Sequence, residues 1–216
     1  YIVKSGTPVN VKYNIFKRIN TGGLELKPQE IRHALYQGRA TEICKRLSSF
    51  PEFLSATTFS IKEDRMMDQE FVLRFIAVCY YGIEKYDGVP DNYLNGAMGY
   101  LNSKACVEAG TIEKQFKRVM KAARAVMGKY AFRKLGENGV RRPINKAIYE
   151  TWCRCLFFMN DAEIKKLTSK KEMVYERFME LCNDEQFLQI IKSSDKKAFL
   201  LRFRMVDSML KGVLHD

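Results

Sequence analysis

Apolar residues recur at every third or fourth position through most of this chain and almost nowhere alternate, which commits it to α-helices. Over 111–128 the residues Ile112, Phe116, Val119, Met120, Ala123 and Met127 fall on one stripe, as a helix with a single buried face requires. Proline and glycine punctuate such stretches. Pro8 and Pro28 suit the first turn of a helix, where a missing N–H leaves nothing unpaired, and Gly38 suits a stop. Helices are expected from Pro8 to about Ile19, with Val11, Ile15 and Ile19 on one face, and from Pro28 towards Gly38, with Ile31, Ala34 and Leu35 inward. Others are expected over Thr41–Phe50, Asp68–Tyr86, Asp91–Ala105, Thr111–Gly128, Pro143–Met159, Ser169–Asn183 and Asp195–Leu214. The expected fold class is all-α, a multi-helix bundle, with a short strand remnant over Tyr1–Lys4 the only β signal. The clearest internal break is Gly136–Pro143. It reads either as a long loop within a single helical domain spanning 1–216 or as a boundary between two lobes, 1–136 and 143–216.

The chain has 216 residues, 46% hydrophobic and 29% charged, enough apolar content to bury a core and too much for a disordered segment. No apolar run approaches the roughly 20 residues needed to span a bilayer, and no secretory signal opens the chain. A cytoplasmic location and no membrane partner are therefore expected. The absence of an initiator Met leads to the expectation of a fragment of a longer protein. Six scattered cysteines, Cys44, Cys79, Cys106, Cys153, Cys155 and Cys182, sit on expected apolar faces and suit a reducing compartment better than a disulfide framework. With only His33 and His215 beside them, no metal site is expected. Nor is there a catalytic residue to name, since no Ser or Cys has a histidine close by in sequence.

The formal charge of +12 favours polyanionic partners. Its densest helical expression is Lys114, Lys117, Arg118, Lys121 and Arg124, opposite the apolar stripe of the helix over 111–128. This face is a candidate nucleic-acid contact, and it is also what a solvated helix face looks like. Two other arginines, Arg74 and Arg133, lie within apolar stretches, where an unpaired charge is costly. A structural role is expected for both, paired with Glu70, Asp68 or Asp91.

The strongest candidate for chemistry is the polar turn Arg18-Ile19-Asn20-Thr21-Gly22-Gly23. Two glycines let backbone approach a ligand, Arg18 can clamp a phosphate or carboxylate, and Asn20 and Thr21 offer side-chain donors. Gln29, Glu30 and Arg32 follow at the start of the next helix, whose free N–H groups suit an anion. By spacing alone, the same residues also read as helix punctuation, with Arg18 paired to Glu25 or Glu30. The spacing of a Walker phosphate loop is absent.

Val11 to Leu26, containing Ile15-Phe16-Lys17-Arg18-Ile19-Asn20-Thr21-Gly22-Gly23, resembles the I-F-x-R-I-N-T-G-G-x-x-L segment of the ParB-like domain of GmrSD-type, modification-dependent restriction enzymes. The resemblance continues through Gln29–Leu35 and Gly38. It extends to Asp68, Glu70 and Leu73-Arg74-Phe75, to Tyr93-Leu94-Asn95 with Met98, to Ala131-Phe132-Arg133, and to Arg142-Pro143-Ile144-Asn145-Lys146, in family order over about two-thirds of the chain. It implies a helical lobe that follows an N-terminal α/β part. In the family that part carries an Asp-Gly-Gln-Gln-Arg motif tied to nucleotide binding and hydrolysis, and a separate domain with His-Asn-His motifs cuts DNA. Neither motif occurs here. The implied protein is thus a helical module without either catalytic centre and with no cofactor of its own. Its partners would be the α/β lobe and DNA, and a nucleoside triphosphate with a divalent metal would bind in the intact protein. Arg18, Asn20, Thr21, Gly22, Gly23, Gln29, Glu30 and Arg32 would face the nucleotide or brace its site.

Overall fold

A computed structural model describes Lys4, residues 6–19, 25–136 and 139–216, with nothing said of the Asn10 side chain. Among the described residues there are twelve α-helices and no strand: α1 (Val9–Ile19), α2 (Pro28–Leu35), α3 (Arg39–Ser48), α4 (Pro51–Ala56), α5 (Met67–Ile76), α6 (Pro90–Asn102), α7 (Ala109–Met127), α8 (Lys146–Phe158), α9 (Asp161–Ser169), α10 (Lys171–Asn183), α11 (Glu185–Ile190) and α12 (Lys196–His215). The expected all-α bundle is what the chain forms. The expected strand remnant falls on Tyr1–Val3, outside the described residues, apart from Lys4, which is in no strand. Among the described residues no helix is long and apolar enough to cross a membrane.

The long amphipathic helix α7 packs against α4 on one side and against α8, α9 and α10 on the other, while α3, α5 and α6 form a group that meets α8 through α5. The last helix, α12, packs on α8 through α11. One contiguous cluster of buried apolar side chains runs from Ala40 through Phe116 and Trp152 to Val213, so residues on both sides of 136–143 share it. All six cysteines lie in this interior as free thiols. Burial pushes Cys44 and Cys155 up to about 12, consistent with small hydrophobes rather than reactive groups.

Helix starts follow local chemistry. Asn145 caps α8 by accepting from Ile148 N at 3.0 Å. Asn160 and Glu163 form a reciprocal capping box on α9, at 3.0 and 2.8 Å. Asp184 and Asp195 cap α11 and α12. Three short helices, α4, α9 and α11, were not expected, because each carries too few turns to display a stripe.

Two expected helices are shortened for tertiary reasons. The helix expected over Asp68–Tyr86 leaves α-geometry after Ile76 for a π-helical turn over Ala77–Tyr81. The carbonyl of Ala77 there accepts both from Gly82 N at 3.0 Å and from the Tyr93 hydroxyl at 2.7 Å, so a side chain from α6 holds the wider turn open. The helix expected from Pro143 begins at Lys146. Asn145 N instead donates to Phe132 O at 2.9 Å, and an isolated bridge between Arg133 and Ile144 closes the stem of the 134–143 loop. A correction also applies to α2. Its interior face carries Gln29, Ile31 and Arg32, while Ala34 is exposed and Leu35 half-buried.

Gly96 allows the closest approach of a ring to a helix. A Cβ built on it would meet the Tyr81 hydroxyl oxygen at 2.4 Å and the ring itself at 2.7 Å. Tyr81 in turn packs between Tyr93 and Tyr100. The gain in helix propensity from Gly96→Ala is about 1 kcal/mol, and the overpacking penalty is about 1–3 kcal/mol. Gly96→Ala is therefore expected to lower stability by about 1 kcal/mol in urea unfolding, against the gain that an unobstructed helical glycine would show.

Candidate functional site

Of the residues singled out in the first polar turn, Asn20, Thr21, Gly22 and Gly23 lie outside the described residues. Arg18 is exposed in the last turn of α1, and no partner meets it among the described residues. Its expected pairing with Glu30 does not form: Glu30 is taken by Arg65, whose Nε and Nη2 reach the carboxylate at 3.0 and 2.7 Å. Arg65 hydrogen-bonding, together with the Lys27 backbone N–H at 2.6 Å, holds the Glu30 carboxyl below its ordinary range. Glu25 meets Arg65 through its backbone carbonyl.

Arg32 is fully interior, 1% exposed. A charge in such a place must be paired and hydrogen-bonded, and α2 and α6 provide that. Arg32 Nε donates to Asn95 Oδ1 at 3.0 Å, Nη1 to Gln29 Oε1 at 3.3 Å, and Nη2 to Asp91 Oδ1. The Tyr13 ring of α1 lies 5.6 Å from the guanidinium carbon. Asp91 is the hub. Its other oxygen accepts from Lys17 Nζ at 2.8 Å, so one carboxylate ties α1, α2 and α6 together. Desolvation would raise the Asp91 carboxyl, but Lys17 and Arg32 outweigh it and hold it low. Gln29 and Arg32 are thus brought together beside α1 through Asp91 and Lys17, while Glu30 turns to Arg65 and Arg18 lies exposed at the end of α1.

The basic face of α7 is only partly free. Arg118 turns back onto the end of α8, donating to the carbonyls of Phe157 at 2.8 Å and Met159 at 3.0 Å, and it pairs with Asp161. It thereby satisfies carbonyls that a helix end leaves open. Lys117 lies over the Phe50 ring at 4.4 Å, and Lys121 is 3.5 Å from Glu52. Lys114 and Arg124 project with no side-chain partner among the described residues.

A second polar cluster lies deeper, where α5, α8 and α12 meet. Glu150, 3% exposed, bridges two arginines: Oε1 accepts from Arg74 Nη1 at 2.5 Å and Oε2 from Arg202 Nη2. Arg74 also grips Glu70 Oε1 through Nε and Nη2, at 2.9 and 2.7 Å, and Lys146 Nζ reaches the same oxygen at 2.8 Å. The cluster lines a cavity of about 190 Å³ shared with Tyr86, Tyr93 and Phe199. Arg74 has a partner expected for it, Glu70, and a second, Glu150, that was not. Arg133 differs from expectation: its guanidinium donates to the neutral oxygens of Thr57, Thr58 and Ser60 and pairs with none of Glu70, Asp68 and Asp91. Glu150 and Arg202 were missed although a signal existed. Arg202 shares the stripe of Phe199, Phe203 and Val206, and Glu150 falls inside the most apolar helix of the chain. Among the described residues no group of His, Cys, Asp and Glu is placed to hold a metal ion.

Comparison with family models, curated proteins and solved structures finds no match to this chain. The resemblance therefore rests on its motif residues alone.

Removing one member of a buried ion cluster leaves the others uncompensated, at about 3–5 kcal/mol. Glu150→Gln is expected to destabilise by that amount in denaturant unfolding, and adding Arg202→Met should restore part of it; additive losses would show that the two do not interact. Glu70 offers a pH test. Burial alone would raise its carboxyl, but Arg74 and Lys146 bring it from the ordinary 4.5 down to about 2. A depressed carboxylate stabilises the fold above its unfolded pKa, by about 3 kcal/mol here, and that contribution disappears as pH falls. The stability difference between the natural chain and Glu70→Gln should shrink as pH falls from about 4.5 towards 2. A difference independent of pH would refute the pairing.

Proposed function

We infer that this chain is a helical module of a GmrSD-like prokaryotic defence protein, one that supports nucleotide-dependent restriction of modified DNA and is not catalytic alone. The observation that carries this reading is spatial: residues named by the resemblance, from segments far apart in sequence, partner one another. Arg32, from the first motif region, binds Asn95 of the Tyr93-Leu94-Asn95 segment. Glu70, from the second, binds Lys146 of the Arg142–Lys146 segment.

On this reading Gln29, Glu30 and Arg32 brace the end of α1, and Arg18 with the Asn20–Gly23 turn faces a nucleoside triphosphate held by an α/β lobe. The nucleotide and its divalent metal would be bound by the intact protein, and DNA would be its substrate. A module that holds DNA or RNA by the basic face of α7 is the less supported alternative, because Lys117, Arg118 and Lys121 are engaged within the fold.

The test uses the intact protein. Arg18→Ala and Asn20→Ala should each weaken nucleotide affinity roughly tenfold, the loss of one charge-assisted or buried hydrogen bond, and should reduce hydrolysis with it. Unchanged affinity and unchanged hydrolysis in both variants would leave the turn as helix punctuation.

A further inference from the structure

Arg32, Arg74 and Arg202 each meet a carboxylate in the interior. Arg133 does not. It is 2% exposed, and every acceptor it meets among the described residues is neutral. Its Nη2 donates to Thr57 O at 3.1 Å, Thr58 Oγ1 at 2.9 Å and Ser60 Oγ at 2.7 Å, its Nη1 to Arg142 O, and its Nε is buried without a partner. Ser60 Oγ also accepts from Arg141 Nη2 at 2.9 Å. Two guanidinium groups thus converge on one neutral hydroxyl. Burial, with Arg141 adding to it, lowers the Arg133 pKa, as expected where two like charges face no counter-charge among the described residues.

Arg141 also lines a hollow of about 660 Å³, whose described lining includes Lys134 and Arg142 and no acidic residue. Arg142 packs against Gly136, and no counter-ion meets it among the described residues. A Cβ on Gly136 would meet Arg142 Nη2 at 3.1 Å and Nε at 3.4 Å, so the guanidinium occupies the space a side chain at 136 would take. Fork-shaped donors on adjacent residues, with no carboxylate opposite them among the described residues, match a tetrahedral oxyanion, which accepts several charge-assisted bonds at once.

We propose that this hollow binds a phosphoryl group, with Arg141 and Arg142 as direct ligands, Lys134 beside them and Arg133 as the fixed charge behind. The site is independent of the nucleotide reading of the α1–α2 junction, because its residues lie on other elements. The phosphoryl group can come from a small polyphosphate or from a nucleic-acid backbone. Titration calorimetry at constant ionic strength with tripolyphosphate, with ATP and with a short DNA duplex separates these sources.

Saturable binding of at least one of them is expected, weakened roughly tenfold by Arg141→Gln and by Arg142→Gln, the loss of one charge-assisted bond. Lys114→Gln and Arg124→Gln, which remove the same charge from α7, should leave it unchanged. Both ligating arginines are exposed, so their variants keep the fold, and matching unfolding curves check this. No binding of any of the three overturns the site, as does binding that the α7 variants weaken equally.

Discussion

One carboxylate in the interior, Glu150, holds two arginines that come from other helices, and the meeting of α5, α8 and α12 depends on it. Apolar stripes can slide along one another with little change in buried area. A guanidinium that must find its carboxylate cannot, because the unpaired alternative leaves a charge in a medium that solvates it poorly. The ion cluster therefore sets the register of helices whose burial the apolar residues drive. Glu70 and Lys146 extend the same constraint to the start of α8, and so to the stem of the 134–143 loop.

Arginine serves several distinct purposes in this fold. Arg32 and Arg74 bind carboxylates and fix neighbouring helices. Arg118 binds backbone carbonyls and closes the end of α8. Arg133 binds hydroxyls and carbonyls and keeps Thr58 and Phe59, both in the left-handed region at φ +53°, in a conformation that costs non-glycine residues about 1 kcal/mol or more each. The formal surplus of +12 is thus a poor map of exposed charge. Where a cation points, and what already occupies it, decides whether it is available to a phosphate.

The helical architecture was legible because a 3.6-residue period survives in any stretch with one buried face, as in Ile112, Phe116, Val119 and Met120. The site was legible only in part. The stretch Gln29-Glu30-Ile31-Arg32 stands out as polar at a helix start, yet nothing local says that Arg32 faces the core while Ala34 faces solvent. That inversion follows from Asp91 and Asn95, which lie some sixty positions away in α6. Short helices such as α4 and α11 escaped for a simpler reason, since a six-residue element shows too little period to read.

From the sequence alone came the fold class, the positions of the long helices, the free and buried cysteines, and the set of motif residues that resembles a known defence family. Each of these depends on interactions within a few residues, or on composition. Apart from Glu70 and Arg74, four residues apart on one helix, tertiary structure decided which charges pair. It gave Glu30 to Arg65 rather than Arg18, gave Arg74 a second carboxylate, and left Arg133 beside Arg141 without one among the described residues. Pairing of charges depends on distances across the fold, and a helix period carries no information about them.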